Sequence, residues 1–473
     1  MAASQGRERT VGSHRSCSDA LKRRRPPGPT SLMHYCTAGV LHVLVARLGC
    51  AEAFPCRTDF ECSFNGECTA GSCVCTPAWT GAYCHELNLL PASNNTGLNQ
   101  LHDDPPISHW GAAVLLGDDK LYHMHLLRLM CTASLALSLS VTLCLSVCVS
   151  VSLCHIHTVR SRYASEIVNS CGVHAWCSNS QIVHATSPTA TGRYTRKEVI
   201  FKVFSHEPQV VRAPTGEYVM YFTHYAKGSA TEFGVCNCSG SGGNSHPYPG
   251  LPQCGGPPAN VSDPGPLSTY FSYANGPNGP WSAPELLIST QGREDTNLSP
   301  YIFPNGSVLA WTRGQIWTAS HWKVTSSWKS TGSPMASDMT FSEGEDPHLW
   351  RDQNGRFHIL SHNGRIHTGG SNLQPAGDCG RHLFSATGLA GTWYGVPNST
   401  LPNAFGGCAY PRVNVTWADG SLKHFSGRER PHLVFGKDSH TPLALTNAVI
   451  DSTDLPTYLF DKAYTLVQPI CTK

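Results

Sequence analysis

The chain is poor in charged residues and lacks the motifs of several large functional classes. Only 14% of its 473 residues are Asp, Glu, Lys or Arg, against about 25% in an average soluble domain. Residues 1–25 hold seven Lys or Arg and two acids, which leaves 27 basic and 30 acidic residues in the rest. Outside that leader no basic patch predicts nucleic-acid binding. The 24 histidines show no metal-binding spacing such as HExxH, so we predict no metal and no cofactor.

Long apolar segments are also scarce, and the one exception has an unusual pattern. Residues 129–154 carry no charge and are long enough to form a membrane-spanning helix. From Ser134 to Cys154, however, Leu, Val or Ala alternates with Ser, Thr or Cys, a period of two that neither a helix nor lipid requires. Translation of a two-base repeat gives this alternation. We therefore predict an aberrant insert over residues 125–162 rather than a membrane span, and we keep a membrane-tethered receptor as the weakest hypothesis.

Cysteine, by contrast, is abundant, and it predicts an oxidising compartment. The chain has 21 cysteines, too many for a reduced protein without metal-site spacing. Three arginines at 23–25, an apolar run over 36–48 and Ala51-Glu52-Ala53 have the three parts of a signal peptide, with cleavage after Ala53. Seven glycosylation sequons agree with export; they begin at Asn94, Asn237, Asn260, Asn297, Asn305, Asn398 and Asn414. We predict a secreted, extracellular glycoprotein with a leader and signal peptide at 1–53.

Six of the cysteines form a compact group near the start of the mature chain, within residues 54–86. They are Cys56, Cys62, Cys68, Cys73, Cys75 and Cys84. Their spacing resembles an EGF-like module, and that resemblance implies the pairs Cys56–Cys68, Cys62–Cys73 and Cys75–Cys84; spacing alone allows fifteen connectivities. No acidic calcium-binding lead-in precedes the first cysteine. The module is predicted to contact another extracellular protein or to act as a spacer, followed by a linker at 87–106.

The remaining chain, residues 107–473, repeats one pattern five times. Each copy has a short strand, a polar turn and a second alternating strand, a plan seen most clearly in EDPHLWRDQNGRFHIL from Glu345. The other copies begin at His109, Glu207, Ser299 and Glu429. Radial repetition of such units predicts an all-β fold, a five-bladed β-propeller, preceded by the small EGF-like module.

Acidic residues lead into several of these units. Glu207 precedes Pro208, Glu345 and Asp346 precede Pro347, Glu429 and Arg430 precede Pro431, and Asp295 lies five positions before Pro300. The innermost strands of a propeller surround one channel, so these residues are expected to meet at one mouth. Carboxylates gathered there would shift one another's pKa values, as a glycosidase requires of its acid and its base. Each acid alone could equally cap its own turn.

The order of these motifs resembles the five-bladed propeller glycosidases of the glycoside hydrolase family 43 type. The resemblance is carried by EDPHLWRDQNGRFHIL, RERPHLVF, HEPQVVR and NSCGVHAWCSNSQIVHA. It implies an inverting hydrolase in which Glu345 is the acid and Glu207 stands where a second-blade Asp would tune the pKa of that acid. The first-blade Asp, which would be the base, is missing, because Ser108-His109-Trp110-Gly111 stands there.

Three hypotheses follow from that missing base. Asp346 or Glu429 supplies the base from another blade, His109 does so near neutral pH, or the site only binds. Candidate substrate-binding residues are His109, Trp110, Asp295, Asn297, Arg430 and Trp350. The function predicted is hydrolysis of glycosidic bonds in polysaccharides or glycans. The alternative is a glycan-binding or extracellular-matrix adhesion protein without catalysis.

Overall fold

The computed structural model of the chain describes fifteen segments. They are residues 55–93, 96–98, 109–129, 180–202, 205–225, 267–289, 297–334, 339–342, 345–362, 365–368, 379–395, 408–411, 413–425, 427–450 and 463–473. The predicted signal peptide, Asp295 and most of the predicted insert lie outside these residues. Within them no helix has the length and apolar character needed to cross a membrane.

The EGF-like module consists of two small hairpins held by three disulfides. Its strands are β1 (Gly66–Thr69), β2 (Ser72–Cys75), β3 (Trp79–Thr80) and β4 (Glu86–Leu87), paired β1 with β2 and β3 with β4. The disulfides are Cys56–Cys68, Cys62–Cys73 and Cys75–Cys84, as the EGF resemblance implied. A module this small buries little apolar surface, so the cross-links are needed to limit the entropy of its unfolded state.

The first three blades are four-stranded antiparallel sheets in chain order. Blade I contains β5 (His109–Leu116), β6 (Tyr122–Leu129), β7 (Ser180–Ser187) and β8 (Thr195–Phe201). Blade II contains β9 (His206–Arg212), β10 (Tyr218–Tyr225), β11 (Leu267–Ala274) and β12 (Glu285–Ser289). Blade III contains β13 (Ser299–Ile302), β14 (Val308–Thr312), β15 (Gln315–Ala319) and β16 (Lys329–Gly332), with a 3₁₀ turn at Thr325–Ser327. Because β6 pairs with β7 up to Leu129, residues 125–129 of the predicted insert belong to the blade.

The last two blades carry additional short strands. After β17 (Met339–Ser342), blade IV contains β18 (Glu345–Arg351) and β19 (Phe357–His362); β20 (Arg365–Thr368) pairs with β17 instead. The blade continues with β21 (Cys379–Ser385), β22 (Tyr394–Gly395) and β23 (Cys408–Pro411), where a disulfide joins Cys379 to Cys408. A hairpin of β24 (Asn414–Thr416) and β25 (Leu422–His424) leads to blade V, which contains β26 (Gly427–Phe435), β27 (Pro442–Ile450) and β28 (Ala463–Pro469).

The five innermost strands form a closed ring. They are β5, β9, β13, β18 and β26; each contacts the next, and β26 contacts β5. Apolar clusters fill the spaces between adjacent blades, for example Leu309 and Trp311 of blade III against Leu349 and Ile359 of blade IV. The predicted five-bladed all-β fold is confirmed.

The segment after the EGF-like module pairs with the last blade and completes it. Leu98 and Thr465 exchange two backbone hydrogen bonds of 3.2 Å, and the Leu90 amide donates to the Pro469 carbonyl at 2.8 Å. The residues predicted to be a linker thus lie along the outer edge of β28 where the structure describes them. This pairing adds the segment to blade V and covers the outer edge of β28.

The EGF-like module packs against blade IV through aromatic side chains. Trp79 stacks on Trp350 at 6.3 Å between ring centroids and lies 4.8 Å from the His382 ring. Phe60 meets Phe384 edge to face at 5.3 Å, and Arg356 lies 4.3 Å above the Phe64 ring. Such aromatic contacts add to the gain from apolar burial. The module is therefore fixed to the propeller by an apolar interface rather than separated from it.

Candidate functional site

One position of the innermost strand has the same unusual backbone in all five blades. The residue at this position has a positive φ. Six residues further along each blade, a backbone amide donates the hydrogen bond that closes the turn between the first two strands. The five residues, which we call the axial residues, are Gly111 (φ 64°), Glu207 (57°), Asn297 (42°), Asp346 (52°) and Arg430 (50°). A left-handed backbone is uncommon for Glu and Arg and costs free energy. Its recurrence at one register brings four side chains and the backbone of Gly111 to the same mouth of the ring.

Arg430 connects three of the other axial residues. Its Nη1 donates to Asp346 Oδ1 at 3.0 Å and also contacts Glu207 Oε1. A Cβ at Gly111 would lie 2.3 Å from Arg430 Nε, so the arginine side chain fills the space that a larger blade I residue would occupy. Burial lowers the pKa of Arg430 to about 9, and the side chain is only 6% exposed. Arg430 is thus a buried cation shared by two buried carboxylates.

A second set of residues precedes the axial residues by one position. It includes Trp110, His206, Glu345 and Glu429. The side chain of Glu345 is 35% exposed and that of Glu429 is 21% exposed, whereas those of Glu207 and Asp346 are only 4% and 6% exposed. The two glutamates are therefore the more exposed carboxylates of the mouth.

His362, from the end of β19, lies among three of these carboxylates. Its Nδ1 is 2.7 Å from Asp346 Oδ2, and its Nε2 is 3.4 Å from Glu345 Oε2 and 3.7 Å from Glu429 Oε2. Burial disfavours the protonated ring, but the three acids outweigh it and raise the pKa of His362 to about 9. His362 is therefore a cation at neutral pH.

Glu345 and Glu207 have different additional partners. Arg313 Nη2 lies 2.6 Å from Glu345 Oε1, so Glu345 has a cation on each side, which favours its ionised form. Glu207 Oε1 lies 3.2 Å from His206 Nε2. Burial and the nearby Arg430 and Arg313 hold the pKa of His206 well below its usual range, so this ring is neutral. Among the described residues, four carboxylates of the mouth therefore face three cations.

The spacing of the acids limits the chemistry that they could perform. Glu345 Oε2 and Glu429 Oε2 lie 3.4 and 3.7 Å from the same nitrogen, so they are at most about 7 Å apart. Inverting glycosidases separate their two carboxyl groups by about 6.5–9.5 Å. One oxygen of Asp346 lies within 4.8 Å of one of Glu429, which is closer than inversion needs. Glu345 and Glu429 therefore reach at most the lower end of the inverting range.

Two groups of side chains in the described residues have the proximity of metal ligands. Asp346, His362 and Glu429 each place one ligand atom within 4.8 Å of the others, but His362 would first have to lose its proton. Cys56, Cys62 and Cys73 form the other group, and disulfides already occupy their sulfur atoms. The first group could therefore hold a metal ion only with a neutral His362, and the absence of a metal stays a prediction.

The structure brings together most, but not all, of the residues chosen from the sequence. Glu207, Glu345, Asp346, Glu429 and Arg430 meet at the mouth. A small cavity of the channel adjoins them; it is lined by Ala112, Gln209, Asp346, Arg430, Pro431 and His432.

The predicted substrate-binding residues have different positions. Both Asn297 and Asp295 were chosen from the sequence, and Asn297 is the axial residue of blade III. Asp295, which was chosen for its position five residues before Pro300, lies outside the described residues. His109 and Trp110 are buried at the start of β5. Trp350 lies in the contact with the EGF-like module, four residues along β18 from Asp346. His362 and Arg313 were not chosen at all.

The fold and the mouth define a five-bladed β-propeller with a docked EGF-like module and a cluster of charged side chains at one end of its channel. A family model described as a teneurin-like EGF domain matches residues 59–86. The match covers the EGF-like module and leaves the propeller without a family assignment. No curated protein matches the chain.

Several solved structures resemble the chain over about four fifths of its length. A protein of unknown function from Dyadobacter fermentans has 10% identity and a TM-score of 0.43, with 81% of this chain and 99% of that chain covered. An α-L-arabinofuranosidase from Podospora anserina has 10% identity and a TM-score of 0.44, with 82% and 98% covered. A family 117 glycoside hydrolase from Zobellia galactanivorans has 12% identity and a TM-score of 0.42, with 82% and 92% covered. Similarities this low assign no substrate and no activity to the chain.

Proposed function

We propose that the chain is an exported carbohydrate-binding propeller whose ligand enters the mouth formed by the axial residues. The convergence of four carboxylates and three cations at one end of the channel carries this proposal. Sugar hydroxyl groups both donate and accept hydrogen bonds, and carboxylate and guanidinium groups match them in pairs. Partly exposed Glu345 and Glu429 would make the first contacts with a ligand. Export is supported by the four described disulfides and the EGF-like module.

Hydrolysis of a glycosidic bond is the second candidate function, because Glu345 and Glu429 are two partly exposed carboxylates at the same mouth. In that reaction Glu345 would protonate the leaving oxygen while Glu429 activated water on the other face of the sugar. The acid must carry a proton at the working pH. Glu345 lies between Arg313 and His362, which stabilise its ionised form, and Gly111 supplies no blade I base. Binding therefore ranks before hydrolysis.

The EGF-like module contributes to this function as part of the propeller. Its aromatic residues Phe60, Phe64 and Trp79 are engaged with blade IV. A protein partner of the module would have to bind its remaining surface, on which Val74 is 58% exposed.

One experiment can separate binding from hydrolysis. Arabinan, xylan and galactan oligosaccharides are titrated into the full chain by calorimetry, and the same mixtures are analysed for released sugars. Wild type is compared with Glu345→Gln and Glu429→Gln, and with Glu285→Gln as a matched control on the exposed outer strand β12. Binding without product supports the first function. Product that either mouth substitution abolishes establishes the second, and absence of binding to all three glycans contradicts both.

A further inference from the structure

The axial residue of blade III differs from the other four because its polar atoms have no partner. Asn297 is 5% exposed, and neither its Nδ2 nor its Oδ1 has a hydrogen-bond partner in the part of the chain that the structure describes. Glu207, Asp346 and Arg430 contact one another, and Gly111 has no side chain. We propose that the Asn297 amide is a binding position for a hydroxyl group of a neutral saccharide; this inference rests on the carbohydrate-binding function proposed above.

The free energy of the fold argues against a purely structural role for Asn297. A buried polar group without a partner costs about 1–3 kcal/mol, and its left-handed backbone, at φ 42°, adds to that cost. An apolar residue or glycine at this position would avoid the first cost, and glycine would avoid both. A bound hydroxyl group supplies the missing hydrogen bonds.

The neighbouring blade offers a complementary atom. Glu207 Oε2 is buried and has no hydrogen-bond partner among the described residues, since its contacts with Arg430 and His206 use Oε1. Glu207 lies in β9 and Asn297 lies two residues before β13, and these two strands contact each other in the ring. A sugar hydroxyl can accept from the Asn297 amide nitrogen and donate to a carboxylate oxygen.

The charge at the mouth selects against acidic sugars. Arg430 is shared by Glu207 and Asp346, Arg313 pairs with Glu345, and three carboxylates surround His362. No cation among these is left to neutralise a uronate or sulfate group, and the carboxylates would repel it. The preferred ligand is therefore an uncharged saccharide.

Asn297 also begins one of the glycosylation sequons, which gives a competing role for its amide. Glycosylation requires an exposed side chain, and Asn297 is buried, whereas the sequon residues Asn305 and Asn414 are exposed. Burial of the Asn297 side chain therefore argues against a glycan attached to its amide in the folded chain.

The test uses a substitution that removes the amide without harming the backbone. Glycine adopts positive φ readily, so Asn297→Gly is expected to keep the melting temperature while it weakens binding of galactan oligosaccharide about tenfold or more. Asn297→Asp keeps the size but replaces the donor with a second acceptor, and it should weaken binding at least as much. Asn305→Gly, in an exposed turn, is the matched control and should bind as wild type does.

Oligogalacturonate, the acidic counterpart of galactan, is titrated in parallel. Wild type that binds neither sugar, nor arabinan or xylan fragments, overturns the proposed function and this inference with it. Wild type that binds galactan fragments while Asn297→Gly binds equally well overturns only the role of Asn297. Tighter binding of oligogalacturonate than of galactan fragments overturns the choice of a neutral ligand.

Discussion

Replacement of Arg430 by methionine should destabilise the propeller strongly. Methionine keeps the length and apolar stem but leaves Glu207 and Asp346 buried without their shared cation. Their side chains are 4% and 6% exposed, so solvent stabilises the two charges far less than the guanidinium does. Loss of one partner from a buried ion pair costs about 3–5 kcal/mol. Asp346 keeps His362, so most of the cost should come from Glu207, whose remaining partner His206 is neutral.

The assay is urea-induced unfolding at pH 7 with the disulfides intact. We expect Arg430→Met to lower the free energy of unfolding by about 3–5 kcal/mol, and Glu207→Gln in the same chain to restore at least about 1.5 kcal/mol. Arg212→Met is the control, because Arg212 and Asp118 form an exposed pair with side chains 49% and 61% exposed, and it should cost less than about 1 kcal/mol. An Arg430→Met cost below about 1 kcal/mol, or additive effects of the two substitutions, would refute the reasoning.

Three further predictions concern the EGF contact, the blade I axial residue and the buried histidines. Trp79→Ala should lower the free energy of unfolding by about 3–5 kcal/mol, because it removes the ring that stacks on Trp350. It should also speed proteolysis between the EGF-like module and the propeller, and an unchanged cleavage rate would contradict the docked arrangement. Gly111→Ala should cost about 1–3 kcal/mol in the same assay, since its Cβ meets Arg430 and its φ is positive; no loss would contradict the placement of Arg430. Burial lowers the pKa of His184 to about 4 and that of His432 to about 3, so the unfolded chain binds more protons below about pH 6.5. The free energy of unfolding should therefore fall from pH 6.5 to pH 4, by at most about 3 kcal/mol for each histidine, and a flat profile would contradict their burial.

The sequence was sufficient to predict the fold because the repeat is local. Each unit joins two strands through a short polar turn, so its pattern is visible within about sixteen residues, as in the stretch from Glu345 to Leu360. The three disulfide pairs were implied by the resemblance to an EGF-like module, since cysteine spacing alone leaves fifteen connectivities open, and all three are confirmed. The docking of that module on the propeller could not be predicted from the sequence. Trp79 and Trp350 are far apart in sequence, and no pattern around either residue indicates that the two rings stack.

The site was only partly predictable, for a reason that lies in strand pairing. In an antiparallel hairpin the end of the second strand faces the start of the first, so His362 pairs with Glu345 although seventeen residues separate them. Arg313 follows β14 and reaches the mouth in the same way, since Trp311 pairs with Ser299. In blade III the proline does not mark the register of the first strand. The turn closed by the Phe303 amide places Asn297 at the axial position, and not Asp295, which lies five positions before Pro300.

The most direct test of the mouth as a carbohydrate site is a crystal structure of the full chain grown with a galactan oligosaccharide. The structure should show one sugar at the mouth, with hydroxyl groups within about 3.2 Å of the Asn297 amide and of Glu207 Oε2. A sugar bound at another surface while the mouth stays closed by its own ion pairs would contradict the account.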